Sequence, residues 1–184
     1  MNESHNSDES ERRSPTGAMS QHHFLDIAKA EVARAKRHRN PLSCLVIEVD
    51  HLKSIDDTKG SAAGDLVLQQ FVSVCKATIR ASDYIGRIGD EFAILLPETP
   101  LLSAFAAAER ILANLAAATT DASQHRLTAT TSIGVVEYAD QTWSLDHLLQ
   151  AAGAAMHDAK QNGSNQAVCY LDDLQLTSAS TVVN

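Results

Sequence analysis

Apolar positions fall into two rhythms along the chain, separated by polar breaks. Between Gln21 and Arg39 the residues Leu25, Ala28, Val32 and Ala35 recur at helical spacing, and Asn40-Pro41 ends the pattern. SCLVIEVD (43–50) predicts a strand buried by its apolar character, followed by a polar segment to Gly64. From Asp65 to Arg80 one helical stripe is formed by Leu68, Phe71, Val72, Cys75 and Ile79. YIGRI and FAILLP then read as two strands joined through Gly89, Asp90 and Glu91, because glycine supplies the positive φ that a tight turn needs. Pro100 opens a helix to about Ala118, with Phe105, Ala108, Ile111, Leu112 and Leu115 inward. LTATTSIGVVEY (127–138) predicts a strand, and Ser144 caps a helix carrying Leu145, Leu148, Leu149, Ala152, Met156 and Ala159. Gly163 stands at its C-cap position, and QAVCYL forms a last strand. This order predicts an α/β (α+β) sandwich with a mostly antiparallel central sheet flanked by helices. The domain is expected over 21–171, between a disordered polar tail at 1–20 and a second tail at 172–184.

Composition narrows the choices. A 184-residue chain that is 44% hydrophobic can bury one ordinary core. A formal charge of -8 argues against duplex nucleic acid as a partner, since such proteins carry a basic footprint. Cys44, Cys75 and Cys169 are odd in number and lie in apolar surroundings, which predicts buried thiols in a reducing compartment. No apolar run approaches the roughly 18–20 residues of a membrane span, and residues 1–17 hold no signal-peptide core. A cytoplasmic protein is expected.

The acids gather at strand ends. Glu48 and Asp50 are two apart on the first strand and so share a face, while Asp90 and Glu91 sit at the hairpin tip. If the hairpin lies beside that strand, the carboxylates converge into a set suited to Mg²⁺ and to in-line nucleotidyl transfer. The alternative is that these acids are simply solvated.

Several segments, in order, carry a family resemblance: EVDHLKSIDDTKGSAAGD (48–65), RASDYIGRIGDEFAILLPET (80–99), AAAERI (106–111), TATTSIGVV (128–136) and AAMHDAKQNGSNQAV (154–168). Together they resemble the GGDEF domain of diguanylate cyclases, which condense two GTP molecules into cyclic di-GMP. The resemblance implies Mg²⁺ at Glu48 and Asp90, guanine recognition by Asp56 and Asp65, and phosphate contact by Lys160.

This chain departs from the family pattern at four places. Glu48 replaces an Asp, moving the carboxylate by about 1.5 Å, one carbon–carbon bond. Asp56 replaces an Asn and, when ionised, can only accept hydrogen bonds. Ser164 replaces an Arg that would meet a phosphate. The signature turn is one residue short, reading Arg87-Ile88-Gly89-Asp90-Glu91-Phe92: either a glycine is deleted, or Ile88 stands in the first glycine's place and the deletion lies upstream. Metal, base, phosphate and substrate access are each affected, and catalysis by positioning tolerates combined errors poorly. No catalytic residue is therefore expected, and Glu48, Asp90 and Glu91 are read as vestigial.

The family's inhibitory site, an Arg-x-x-Asp motif ahead of the turn, is retained as Arg80-Ala81-Ser82-Asp83, and counting from Phe92 places a further arginine at Arg110. Arginine pairs with guanine O6 and N7 or with phosphate, and ionised Asp accepts from guanine N1 and N2. The competing reading is a surface ion pair at a helix C-terminus. The expectation is a catalytically degenerate cyclic di-GMP receptor needing no cofactor and signalling to a protein partner through its surface or tails, with a homodimer possible. The alternative is a weakly active, product-inhibited cyclase using Mg²⁺.

Overall fold

A computed structural model describes residues 14–121, 129–138 and 143–171. Its elements are α1 (Gln21–His38), β1 (Leu42–Val49), α2 (Leu52–Lys59), α3 (Ser61–Thr78), β2 (Tyr84–Ile88), β3 (Glu91–Pro97), α4 (Leu101–Asp121), β4 (Thr131–Glu137), α5 (Leu145–Gln161) and β5 (Ala167–Cys169). The strands form one sheet in the order β2-β3-β1-β4-β5, antiparallel except for the β4–β5 pair. The predicted sandwich is thus the observed fold.

β1 is the middle strand because both of its faces are apolar. Leu45, Ile47 and Val49 point to the layer built with α3 and α4, where Phe71, Val72, Ala108 and Ile111 are buried. Leu42, Cys44 and Val46 point to the opposite layer, with Phe24 and Ala28 of α1 and Leu148, Ala152 and Met156 of α5. Two glycines let helices lie close to the sheet. A Cβ on Gly86 would strike the Phe24 ring, and one on Gly134 would strike the backbone of Ala152 and Met156.

Several details differ from the sequence expectations. The polar segment before Gly64 contains α2, and α3 starts at Ser61 rather than Asp65. On α1 the buried positions are Phe24, Ala28, Glu31 and Ala35, with Leu25 and Val32 only partly covered. The N-terminal boundary also moves outward. Residues 14–20 belong to the folded body, since Ala18 is fully buried and Met19 bridges to Gly86 on the free edge of β2. Residues 1–13 and the tail at 172–184 lie outside the described residues, as does the start of the strand expected from 127.

Cys44 and Cys75 are buried as expected, and burial pushes the Cys44 thiol up to about 12 and raises that of Cys75. Cys169 is only half-buried. Helix α4 is long and apolar enough to cross a membrane by length and composition, over Leu101–Ala118. Here its Ala104, Ala108, Ile111 and Leu115 side chains pack into the core layer on the sheet.

Gly134→Ala should lower the urea midpoint by an amount equivalent to about 1–3 kcal/mol, because the helix backbone above it has to shift. Gly153→Ala on the same helix, where an added Cβ meets nothing within 4 Å, should be neutral or stabilising in the same urea titration.

Candidate functional site

Two regions, at opposite ends of β2, carry most of the predicted site residues. The first lies where β1 ends beside the β2–β3 hairpin. In the hairpin Ile88 pairs with Glu91, so Gly89 and Asp90 form a two-residue turn with Gly89 at φ 60. Glycine at the first central position is what a II′ turn requires. Beyond this tip Phe92, Ile94 and Leu96 lie in the core.

Glu48 lies beside this hairpin, and the Lys160 ammonium donates to its Oε1 at 2.7 Å, with both side chains about one-third exposed (35% and 33%). The lysine read as a phosphate ligand and the acid read as a metal ligand therefore satisfy each other. Glu91 is half-buried, and its carboxyl is raised above the usual carboxylate range by burial first, then by the nearby charges of Glu48 and Asp90, with Lys160 acting in the opposite sense. Asp90 itself is exposed at the turn.

The expected convergence with Asp50 does not occur. Asp50 is 3% exposed and accepts from the hydroxyls of Thr130 (2.7 Å) and Ser132 (2.8 Å) and from the Asn165 amide (3.3 Å). It ties the end of β1 to the start of β4 and to the turn after α5, a structural role that the strand-end pattern did not reveal. Among the described residues no group of three or more His, Cys, Asp or Glu side chains is placed to hold a metal ion. Mg²⁺ needs few protein carboxylates when substrate phosphates complete its shell. Even so, the principal one here already meets a lysine, and the side chains as arranged do not fit the ion.

The predicted base-binding acids lie on adjacent helices. Asp56 of α2 lies directly over Gly64, whose lack of a Cβ makes room for its carboxylate, and Asp65 is exposed on α3. Ser164 adopts φ 61 in the turn after α5, next to Asn165 at φ 51. Two consecutive left-handed residues are uncommon outside glycine, and here they bring the Asn165 amide to Asp50.

The second region is the connection from α3 to β2. The Arg80 amide donates to Asp83 Oδ2 at 2.7 Å, and the Asp83 amide donates to the Arg80 carbonyl at 3.0 Å, closing a compact turn. Arg80 is exposed, so its guanidinium is available from solvent, as is that of Arg110 on α4. Asp83 Oδ1 is buried with no hydrogen-bond partner of acceptable geometry. Burial raises the Asp83 carboxyl, opposed in order by the Arg80 amide, the Arg80 charge, Ser82 and the Arg110 charge. That last influence places Arg110 in the electrostatic neighbourhood of the motif. A cleft of about 230 Å³ opens beside it, lined among others by Arg80, Asp83, Lys76, Gly17 and Met19.

Comparison with known proteins agrees with this architecture. The family model described as "Diguanylate cyclase, GGDEF domain" matches residues 14–166, a span that includes the folded N-terminal segment. The chain is similar to the diguanylate cyclase DgcS of Shewanella oneidensis, at 30% identity over 155 residues, covering 84% of this chain and 50% of that protein. The chain thus spans half the length of that curated relative. Among solved structures it is similar to the diguanylate cyclase SiaD of Pseudomonas aeruginosa in complex with its activator SiaC, with a TM-score of 0.80 and 29% identity over 91% of this chain and 65% of that one. It is also similar to a microbial GGDEF domain described in its interaction with cyclic di-GMP, with a TM-score of 0.70 and 27% identity over 84% of this chain and 93% of that one.

Glu91→Gln should raise the melting temperature at pH 7, because it removes an ionised group whose folded-state pKa lies above its unfolded value. For such an acid the penalty is present above the folded pKa and vanishes below the unfolded one. The gain should therefore disappear as melts are repeated down through the ordinary carboxylate range.

Proposed function

The chain belongs to the GGDEF family, and from that premise we propose that it is a cyclic di-GMP receptor with a degenerate cyclase site. The observation that carries the reading is the buried Asp83 Oδ1 left without a partner beside an open cleft. An unsatisfied buried acceptor costs about 1–3 kcal/mol, and a ligand N–H donor arriving there recovers that cost. Guanine presents two such donors, N1 and N2, on one edge. The Arg80 guanidinium, and that of Arg110 behind it, then supply donors for guanine O6 and N7 or for a bridging phosphate.

The cyclase site supports the same reading from the opposite direction. Glu48 and Lys160 are satisfied by one another at 2.7 Å, so a nucleotide phosphate or a metal ion would first have to break a charge-assisted hydrogen bond. Ser164 offers no cation to help, and the shortened hairpin holds Asp90 at an exposed tip. No cofactor is required by a receptor of this kind. A protein partner follows from the same proposal, since the occupied site has to be read by something. The activator-bound SiaD structure is a case, in that protein, of a cyclase complexed with a regulatory protein.

Calorimetric titration should show cyclic di-GMP binding to the wild-type chain, weakened at least about tenfold in Arg80→Ala and in Asp83→Ala, the loss expected for a charge-assisted contact of roughly 1.5–3 kcal/mol. Tight binding that survives both changes overturns the receptor site. In parallel, incubation with GTP and Mg²⁺ should yield no cyclic di-GMP. Its formation would instead place the chain among weakly active, product-inhibited cyclases.

A further inference from the structure

The chain that leads into α1 lines part of the cleft beside Arg80 and Asp83, through Gly17 and Met19. We propose that Lys76 is a phosphate-binding residue of this cleft and that ligand binding releases the turn at 14–17, so that this turn reports occupancy. The proposal deepens the receptor reading and rests on it.

Three observations carry it. First, the cleft measures about 230 Å³, below the roughly 300–1,000 Å³ that encloses a drug-sized ligand, so it takes one base while the remainder of a dinucleotide has to displace a wall or lie outside. Second, the walls differ in how firmly they are held. Arg80 and Asp83 follow directly from α3 and lead into β2, and Met19 is fixed by backbone bonds from its own amide to Ile85 and from the Arg87 amide to its carbonyl, both 3.0 Å. The turn ahead of Met19 closes on itself, with Gly17 N donating to the Ser14 carbonyl and Ser14 N to the Ala18 carbonyl, both at 2.8 Å. Gly17 has φ 87, which only glycine adopts readily. Third, this turn is tied to the cleft by Lys76, whose exposed ammonium donates to the Gly17 carbonyl at 2.6 Å.

The direction of exchange follows from the partners. Lys76 holds a neutral carbonyl, and a phosphodiester oxygen is an anion. A hydrogen bond between two ionised groups is roughly twice as strong as one to a neutral acceptor. A dinucleotide whose base sits against Asp83 brings its phosphates to the mouth of the cleft, which Lys76 of α3 and Arg80 beyond its end both line. Lys76 then leaves Gly17 for the phosphate. The turn loses its tie to α3, while Met19 keeps its bonds to β2.

Hydrogen exchange on the full chain, with and without cyclic di-GMP, tests this together with calorimetry. The peptide covering 14–18 should exchange at least about tenfold faster with ligand, with the Met19 and Arg87 amides unchanged. Lys76→Met should show that faster exchange without ligand and bind at least about tenfold more weakly, and Lys76→Arg should restore both. If the wild type binds cyclic di-GMP while exchange over 14–18 is unchanged or slower, the coupling is overturned and the receptor reading stands. The same holds if Lys76→Met binds as the wild type does. If the wild type does not bind cyclic di-GMP, both are overturned.

Discussion

The constraint on which the molecule depends is the double confinement of β1. It is paired along both edges, with β3 and with β4, and covered on both faces by helices. A strand held in this way has no freedom to slip, because a shift of one residue would carry Leu45 and Ile47 into the layer that holds Cys44 and Val46. Its last residues are therefore delivered to one place, and Asp50 fixes that place by accepting from three donors on two other segments. Glu48 reaches Lys160 from there across 112 positions of sequence.

This rigidity bears on both candidate regions. At the hairpin a two-residue tip of Gly89 and Asp90 leaves Phe92, Ile94 and Leu96 in the core layer. The Glu48–Lys160 pair satisfies a charge of each sign at the end of β1. The turn at Arg80 and Asp83 shows the reverse balance, for Asp83 keeps one oxygen buried and unpaired. Such a cost is uncommon in a folded protein.

Much of this was legible in the sequence. The long apolar stripes and the β1 run specify their elements because burial selects for period, and Arg80 and Asp83 are readable since they lie three residues apart in one local turn. Helix α2 was not legible, since only Leu52 and Ile55 of its eight residues lean on the core and no stripe forms. The Glu48–Lys160 pair and the role of Asp50 depend on contacts between residues 80 or more positions apart, which periodicity does not encode. The pattern put Asp50 on the same face as Glu48, and this is compatible with the structure. It could not tell that Thr130 and Ser132 would be waiting opposite. The polar character of residues 14–20 likewise masked their packing, which turns on Thr16 and Ala18 being enclosed and on backbone bonds at Met19.

The Met19–Gly86 bridge has one more consequence. β2 is an outer strand of the sheet, and an uncovered outer strand is a template on which a second chain can add. Met19 occupies two of its backbone positions, by donating to Ile85 and accepting from Arg87, and so works as a short lid against edge-to-edge aggregation. At the opposite edge β5 is only three residues long, which offers little to pair with. Because Met19 is bonded independently of the turn before it, a motion confined to 14–17 would leave the sheet sealed, and signalling through that turn would not trade solubility for response.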